Sequence, residues 1–444
     1  MKRFLLLNSP IFWDTIQEKE QYLSPLGLGY IATYLEKNGI NIEMMDCVKN
    51  RVAVKDILNY ISKTKPDYLG INIFTQNYDI VKYIIENINI QCELFIGGQV
   101  VKSIYKEILQ WKVNNTVNII IGEGELIIPD IVLEKCIQNP EIKIYNKYVF
   151  RVNEESKYLP RDISSIVLNR RFLKDEVIIN HYGDEEGAII TSRGCIFDCA
   201  FCGGARSLNK DVPIRVRGME SIVKEIESLL QIYPSMKSIR ILDDLFLRNK
   251  ESINMAYSIF SKFPHLYWRG MAHVLILKNS MEKLEKLKAC NCKELFVGIE
   301  SGSDNVRKKI NKLGSTQDVI SVSKAILEMG IDLKGYFIYG FPNEKEDDFK
   351  RTYELAMEIK KISQETSGNF RTSVFQFRPY HGTKLYKQLK HSTGILHGCK
   401  INKEISKFNG RTQFNFDFGN YSSESDKVLN DYIIKTQRLM EKND

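Results

Sequence analysis

The chain has 444 residues, 43% of them hydrophobic and 27% charged, which is enough for two or three globular domains. Its net charge of +8 comes from scattered lysines without a long basic block, and this argues against a nucleic-acid-binding protein. No apolar stretch is long enough to span a membrane, and nine cysteines, an odd number, suit a reducing cytoplasm. The short apolar run near the N-terminus predicts a first strand and not a signal peptide.

Residues 1–140 alternate between predicted strands and helices. We expect strands at Lys2–Asn8, Ile40–Asp46, Tyr68–Phe74, Leu94–Gly98 and Ile119–Gly122. We expect helices at Gly27–Asn38, Val54–Lys63, Asn77–Ile88 and Glu125–Cys136. This α/β alternation predicts a doubly wound, Rossmann-like parallel sheet.

The carboxyl ends of these strands carry the candidate ligand-binding residues, because doubly wound sheets bind their ligands at this edge. Glycines among them would let the backbone approach a flat ligand closely. The set consists of Ser9, Asp46, Thr75, Gly97, Gly98, Gly122, Glu123 and Gly124.

Residues 141–185 show few periodic apolar runs, and we interpret them as a linker with a small strand or helix. Strand–helix alternation then resumes and predicts a six-stranded partial (β/α) barrel over 186–384. Its strands are expected at Ala188–Thr191, Ser238–Leu242, Tyr267–Met271, Leu295–Ile299, Asp332–Tyr339 and Phe370–Phe377. Residues 385–444 form a polar C-terminal helical segment, with one helix predicted at Val428–Met440.

The loop after the first barrel strand contains Cys195, Cys199 and Cys202, spaced C-x3-C-x2-C. Such a loop can place three thiolates around one iron–sulfur cluster, and three protein ligands on four irons leave one iron for a substrate or cofactor. The alternative is three buried or zinc-binding cysteines. Structural zinc normally uses four ligands in paired knuckles, and no second pair lies at a suitable spacing.

This motif resembles that of the radical S-adenosylmethionine (SAM) superfamily, with Phe201 at the aromatic position before the last cysteine. The resemblance implies that Cys195, Cys199 and Cys202 bind a [4Fe–4S] cluster and that Phe201 packs near the cofactor. It also implies that SAM chelates the open iron through its amino and carboxylate groups. Reductive cleavage, fed by a flavodoxin- or ferredoxin-type electron donor, would give a 5′-deoxyadenosyl radical.

The first domain resembles the cobalamin-binding domain that precedes the radical domain in the cobalamin-dependent, class B methylase-like branch. The matching pieces are Ser24–Ala32, Asp46, Phe95–Gly98 and Gly122–Glu125. The resemblance implies cobalamin contacts from Pro25 and the strand-end residues given above. Domains that supply a histidine to the cobalt carry D-x-H-x-x-G, whereas the run from Asp46 to Arg51 has none. Cobalamin should therefore bind without a histidine lower ligand; the alternative is a domain that has lost cobalamin.

Several blocks of the second domain also resemble the cobalamin branch, among them Leu242-Asp243-Asp244 and Val297–Asp304. Asp243 is the candidate for a charge-assisted contact with the SAM amino group, and Asp244 either shares that role or caps the next segment. Glu300 is the candidate for the ribose hydroxyls, with a plain ion pair as the alternative.

Two basic residues of this domain have simpler interpretations. We interpret Lys312 as a solvated charge at a helix end, with a contact to a phosphate or carboxylate as the alternative. Arg269 lines the substrate space or is a satisfied barrel residue.

Together these features predict a cobalamin-dependent radical SAM enzyme that methylates an unactivated carbon of a small-molecule, natural-product or peptide substrate. No catalytic side chain is assigned, because the protein's role is positioning. Two alternatives are a radical SAM cyclase, epimerase or dehydratase with a vestigial cobalamin domain, and a non-catalytic iron–sulfur electron carrier. We expect no nucleic-acid or membrane partner, and the sequence does not predict the substrate or the oligomeric state.

Overall fold

A computed structural model describes residues 2–14, 23–393, 400–401, 416–417 and 419–439. The chain divides into two compact units. The first contains the described residues of Met1–Asp175, Leu208–Pro213 and Pro379–Cys399. The second contains those of Glu176–Ser207, Ile214–Arg378 and Lys400–Asp444. Within the described ranges, no helix combines the length and the apolar character that a membrane span requires.

The first unit is built on a seven-stranded sheet. Its strands are β1 (Arg3–Asn8), β2 (Asn41–Asp46), β3 (Tyr68–Asn72), β4 (Glu93–Gly97), β5 (Val117–Ile121), β6 (Ile142–Ile144) and β7 (Lys147–Arg151). They lie in the order β2-β1-β3-β4-β5-β7-β6, parallel except for the β6–β7 pair. Its first helices are α1 (Leu26–Lys37), α2 (Val54–Thr64), α3 (Tyr78–Glu86), α4 (Val101–Ile108) and α5 (Ile127–Val132). Short 3₁₀ helices lie at Thr75–Asn77, Ile163–Ser165 and Arg170–Phe172.

Both faces of this sheet are covered, and the alternation of side chains along β1 shows why. Leu5 and Leu7 pack into a core that includes residues of α2, α3 and α4. Phe4 and Leu6 point the other way, into a second core with α1 and α5. The strand order reverses at β1, which pairs with β2 on one side and β3 on the other. The prediction of a doubly wound, Rossmann-like sheet is thus confirmed.

The elements of this unit differ from prediction in three places. Helix α4 was not predicted, although Val101, Ile104 and Ile108 form a buried stripe at helical spacing. Helix α5 covers only six residues of the predicted Glu125–Cys136. The stretch predicted as a linker contributes β6 and β7 to the sheet, because their short hairpin pairs β7 with the edge of β5.

The second unit contains another seven-stranded sheet. Its strands are β8 (Ile178–Ile179), β9 (Glu185–Ile189), β12 (Ser238–Ile241), β13 (Tyr267–Ala272), β14 (Cys292–Glu300), β15 (Asp332–Tyr339) and β16 (Phe370–Gln376), in the order β16-β15-β14-β13-β12-β9-β8. A separate two-stranded ribbon consists of β10 (Ser192–Arg193) and β11 (Arg215–Val216). All pairs in the large sheet are parallel except β8–β9, so the predicted partial (β/α) barrel is confirmed, with β8 as an added edge strand.

Helices cover the outer face of the partial barrel. They are α6 (Met219–Ile232), α7 (Lys250–Phe260), α8 (Val274–Lys278), α9 (Leu284–Ala289, after a 3₁₀ turn at Met281–Lys283), α10 (Asp304–Lys309), α11 (Thr316–Glu328) and α12 (Glu346–Gln364). Ile239 and Ile241 of β12 belong to the core under these helices, so the alternating residues Ser238 and Arg240 face the barrel interior.

The last described elements are α13 (Lys384–Thr393), β17 (Lys400–Ile401), β18 (Phe416–Asp417) and α14 (Asp426–Arg438). Helix α13 belongs to the first unit. Helix α14 corresponds to the predicted Val428–Met440, whose last residue lies outside the described ranges. Leu429 and Ile433 of α14 are buried in the barrel's outer core, so this helix completes the helical layer beside α12 and β16.

Candidate cluster and cofactor site

The cysteine loop lies between the two strands of the β10–β11 ribbon, just beyond the end of β9. Cys195, Cys199 and Cys202 are free thiols, and two of them accept backbone hydrogen bonds. The Phe197 N–H donates to Cys195 Sγ at 3.5 Å, and the Gly204 N–H donates to Cys202 Sγ at 3.4 Å. N–H donors aimed at sulfur are what cluster-ligating thiolates use to stabilise their charge.

Burial raises the pKa of all three thiols, and that of Cys202 to about 12. Lys312 lowers the pKa of Cys195 and Cys199, so a cation stands close to the loop. Within the described part of the chain, no three His, Cys, Asp or Glu side chains converge on one metal ion. Thiolates of a [4Fe–4S] cluster bind separate irons and need not converge, so the donor set fits the cluster.

Asp243 anchors the base of the cysteine loop. Its carboxylate accepts hydrogen bonds from the Thr191 N–H (2.7 Å), the Thr191 hydroxyl (2.5 Å) and the Ser192 hydroxyl (2.6 Å). Arg248 Nη2 lies 3.8 Å from the same carboxylate. The predicted contact of Asp243 with the SAM amino group remains a prediction. The observed contacts give this residue a different role, because they fix the backbone that leads into the ligands.

Asp244, the next residue, faces the cysteines. Its Oδ1 lies 3.5 Å from where a Cβ on Gly204 would stand. Its carboxylate raises the pKa of Cys195 and Cys202, while its own pKa is raised by desolvation against the opposing effect of the Gly194 N–H. Its side chain keeps solvent-exposed surface, so it can contact a ligand.

Glu300 lies at the end of β14 and forms an ion pair with Lys312 at 3.1 Å, both side chains being over 90% buried. Glu300 has a left-handed backbone (φ 65°) at a bulge where the β14–β15 register shifts. A Cβ at Gly298 would overlap the pair, lying 2.7 Å from Lys312 Nζ, so glycine makes room for it. The interpretation of Lys312 as a solvated charge was therefore wrong, and the alternative, a contact with a carboxylate, is the one observed.

Sequence reasoning also missed Arg307, which is 1% exposed and organises this region. Its guanidinium donates to the carbonyls of Ile299 (2.5 Å) and Ser301 (3.3 Å) at the end of β14, and to the carbonyl of Gly314 (2.8 Å). It thus ties the strand end that bears Glu300 to the turn that bears Lys312. The i, i+3 and i, i+4 spacing of charges in α10 gave no signal of this role.

Phe201 packs edge-on against Phe341, with ring centroids 5.5 Å apart. The Phe341 and Gly340 N–H groups both donate to Glu344 Oε2, at 2.9 and 2.8 Å, which fixes the turn after β15. Phe197 stacks on His273, whose pKa burial lowers to about 2, so this imidazole is neutral. Two aromatic contacts, Phe197 with His273 and Phe201 with Phe341, therefore hold the cysteine loop against the rest of the second unit.

Arg269 points into the barrel and is saturated there. It binds both carboxylate oxygens of Glu186, at 2.6 and 2.7 Å, and Glu294 at 2.8 Å. Of the two predicted alternatives, the structure therefore shows a satisfied barrel residue.

In the first unit, the predicted contacts Ser9 and Thr75 are buried among protein partners. The Ser9 N–H donates to Asn72 Oδ1 at 2.7 Å, and its hydroxyl accepts from Asn77 Nδ2 at 2.7 Å. Thr75 Oγ1 accepts from the His381 N–H at 3.2 Å and lies 3.0 Å from His381 Nδ1.

The glycines at the other strand ends fall into two kinds. Gly98 (φ 119°) and Gly122 (φ 103°) approach their own protein's backbone, because a Cβ would collide with the carbonyls of Ile73 and Val152. Nothing lies within 4 Å of a Cβ on Gly97, so a flat ligand could approach the backbone there. The remaining candidates are the half-exposed Pro25 at the start of α1, the half-exposed Glu123 and the buried Gly124. All these cofactor contacts stay predictions.

Asp46 is engaged in its own turn, where Oδ1 accepts from Asn8 Nδ2 and from the N–H groups of Val48 and Lys49. This turn therefore carries a carboxylate with backbone partners where histidine-supplying domains carry their D-x-H run. The open backbone at Gly97 and the exposed Gly98 and Gly122 beside it on this edge of the sheet fit a flat cofactor such as cobalamin.

Comparison with known proteins agrees with this arrangement. Residues 189–356 match the radical SAM superfamily, and residues 14–132 match the B12 binding domain. An uncharacterized methyltransferase of Pyrococcus horikoshii is 28% identical over 374 residues, covering 82% of this chain and 78% of that protein.

Two solved structures share the fold. The radical SAM methyltransferase TsrM from Kitasatospora setae, solved with tryptophan substrate and a SAM analogue, aligns with a TM-score of 0.65 at 16% identity, over 91% of this chain and 79% of that one. The cobalamin-dependent SAM radical enzyme OxsB also gives a TM-score of 0.65, at 14% identity, over 95% of this chain but only 65% of that one. The chain therefore belongs to the cobalamin-binding branch of the radical SAM superfamily: it is a radical SAM enzyme with a B12 binding domain.

Proposed function

We propose that this enzyme transfers a methyl group from SAM, by way of cobalamin, to an unactivated carbon of a small-molecule, natural-product or peptide substrate. The observation that carries the proposal is a three-cysteine loop flanked by Asp244 and by the buried Glu300–Lys312 pair, in a chain with a B12 binding domain. The names of the Pyrococcus relative and of TsrM support methyl transfer. Bound together, the cluster, SAM and cobalamin would supply a radical for hydrogen abstraction and the methyl group.

The chain's own residues position these groups. Asp243 holds the backbone at Thr191 and Ser192, so the cysteines begin from a fixed point. Asp244 offers an exposed carboxylate beside the cysteines, suited to the ammonium group of SAM. Lys312 orients Glu300, which in its left-handed conformation presents an acceptor for ribose hydroxyls. A flavodoxin- or ferredoxin-type protein would deliver the electron, and we expect no nucleic-acid partner.

The first test is cofactor content after anaerobic purification and reconstitution with iron, sulfide and hydroxocobalamin. About one four-iron cluster and about one cobalamin per chain are expected. The visible spectrum should be that of a cobalamin whose cobalt has no lower imidazole ligand. A cluster without cobalamin would contradict the methylation mechanism and favour a radical enzyme with a vestigial first domain.

The second test is product stoichiometry under strong reduction. A methylase of this kind should form S-adenosylhomocysteine and 5′-deoxyadenosine in equal amounts per methylated product. 5′-Deoxyadenosine alone would indicate a cyclase, epimerase or dehydratase. Failure to cleave SAM in a fully loaded protein would favour the electron carrier.

A further inference from the structure

The interior of the partial barrel contains a layer of charged side chains that the proposed chemistry does not use. Strand register places Arg240 of β12 beside Arg269 of β13, and Arg269 beside Glu294 of β14. One step further along, Phe296 of β14 pairs with Lys334 of β15, and Lys334 with Arg371 of β16. These residues alternate with outward-facing ones that pack under the helices, so they share the inner face.

Two cations of this layer, Arg269 and Arg371, form ion pairs with its carboxylates. Arg269 takes both oxygens of Glu186 and one of Glu294. Arg371 takes Glu294 through Nη2 at 2.8 Å and through Nε. Asp332, at the same end of the barrel, is held by Tyr182 and lies 3.5 Å from Lys293. Among the described residues of the layer, Arg269 and Arg371 therefore hold the carboxylates of Glu186 and Glu294, and neither carboxylate is bound by Arg240.

Arg240 is the cation without a partner. It is 6% exposed, makes no hydrogen bond or ion pair with any residue in the described ranges, and its Nε is fully buried. Its contact is the face of Phe296, 5.2 Å from the ring centroid. Arg269 and Lys334 lie over the same ring, at 5.4 and 5.7 Å. Three cations thus lie over one aromatic ring, and the ring face takes the place of a hydrogen-bond acceptor for Arg240.

A buried guanidinium without a counter-ion is costly, and an anionic ligand bound to it would remove that cost. A planar fork of N–H donors is also the group best matched to a carboxylate or a phosphate, which it binds through two parallel hydrogen bonds. Arg240 lies on β12, three residues before Asp243, whose carboxylate anchors the start of the cysteine loop, so the cation and the loop are attached to the same end of the barrel.

We infer that the barrel interior binds an oxyanion, a carboxylate or phosphate group of the substrate, with Arg240 as its direct partner and Lys334 beside it. The inference rests on the proposed function in that the anion belongs to the molecule on which the cluster acts. It narrows the substrate to an acid or a phosphate ester or phosphonate.

The test is titration of the anaerobically reconstituted full-length enzyme with inorganic phosphate and, separately, with malonate, at constant ionic strength set with chloride. Calorimetry and the thermal unfolding midpoint are recorded for wild type, Arg240→Gln and Arg351→Gln, the last removing an exposed arginine of α12. We expect wild type to bind one of the two anions and to unfold at a higher temperature with it. Binding should weaken about tenfold or more in Arg240→Gln and stay unchanged in Arg351→Gln.

Without any anion, Arg240→Gln should unfold no earlier than wild type, because it loses an unpaired buried charge, whereas a structural arginine would leave the variant less stable. Arg240→Lys keeps the charge without the planar fork, and it replaces the glutamine variant in the test if that variant does not fold. Its affinity for the anion should lie between those of wild type and Arg240→Gln. Equal binding by wild type and either Arg240 variant, or no binding beyond chloride, overturns the inference.

Two further measurements identify the source of the anion. Tighter binding of phosphate than of malonate indicates a phosphorylated substrate, and the reverse indicates a carboxylate substrate. If saturating SAM displaces the anion, the group is the carboxylate of SAM, and the assignment to substrate is overturned. Because none of these measurements needs turnover, a failure to observe methyl transfer would leave the anion result standing, and the reverse also holds.

Discussion

At the strand ends of the first unit, the candidate contacts are mostly backbone: Gly97, Gly98, Gly122 and the turn at Ser9. At the strand ends of the second unit they are ionisable side chains: three cysteines, Asp244 and Glu300. We expect the first edge to bind a large flat molecule through its shape and its open backbone. We expect the second to bind iron and charged groups through specific side chains.

This difference separates two ways of encoding a site. A thiolate or carboxylate does its chemistry through the side chain, so changing it removes the function directly. A glycine contributes through space and backbone conformation, so its neighbours decide what a change costs. Four predictions test that contrast, beginning with the largest effect.

Cys199→Ala should abolish the cluster and SAM cleavage, because it removes one of three protein ligands. Mutating residues that only orient metal ligands already lowers metal affinity or activity about ten- to a hundredfold. We therefore expect SAM cleavage to fall by more than about a hundredfold. Iron and sulfide analysis and 5′-deoxyadenosine formation measure it. Cys292→Ala, a buried cysteine outside the loop, is the control and should keep its iron.

Asp243→Ala should destabilise the second unit by about 2–4 kcal/mol, because it leaves a buried N–H and two hydroxyls without their acceptor. Asp244→Ala, one residue away but exposed, should change stability by less than about 0.5 kcal/mol and should weaken SAM binding. Denaturant unfolding and equilibrium dialysis with SAM separate the two. Equal stability losses would remove the distinction drawn between the neighbours.

Glu344→Gln tests a buried carboxyl whose pKa burial raises to about 8. The folded state holds this proton between about pH 4.5 and 8 while the unfolded state has released it, so wild-type stability should fall as pH rises through that window. The variant carries no titrating group there and should lose less stability, with the two proteins most alike near pH 5. Unfolding midpoints at pH 5, 6.5 and 8 would show it; parallel curves would contradict the assignment.

Gly98→Ala should cost about 1–3 kcal/mol in the first unit, because alanine at φ 119° is strained and its Cβ would lie 2.5 Å from the Ile73 carbonyl oxygen. Gly97→Ala should change stability by less than about 0.5 kcal/mol, since its Cβ meets nothing within 4 Å. It should instead lower cobalamin occupancy, the smallest and most selective of these effects. Cobalt content after reconstitution measures this occupancy. An unchanged occupancy would mean that cobalamin does not approach the backbone at Gly97.

The same contrast explains what could be predicted from the sequence. Strands β1–β5, the six parallel strands of the barrel and the cysteine loop were predictable because periodicity and motif spacing are local, whereas β6, β7 and β8 were not predicted. The Glu300–Lys312 pair was not, because its formation depends on Arg307, which folds the turn back onto β14. Asp243 could be placed at a strand end, but its hydroxyl partners lie more than 50 residues away in sequence. Charge and residue type alone do not distinguish a residue that contacts a cofactor from one that holds the protein's own backbone in place.

The first unit is discontinuous in sequence, and this affects how the protein is made. The last helix described in it, α13, follows every strand of the large barrel sheet, and His381 just ahead of this helix hydrogen-bonds to Thr75 and stacks on Tyr78. A ribosome therefore releases the early strands of this unit more than 300 residues before the segment that covers Thr75 has been synthesised. The unit cannot complete its packing during its own translation, and its surface around Tyr78 stays uncovered until the barrel has emerged.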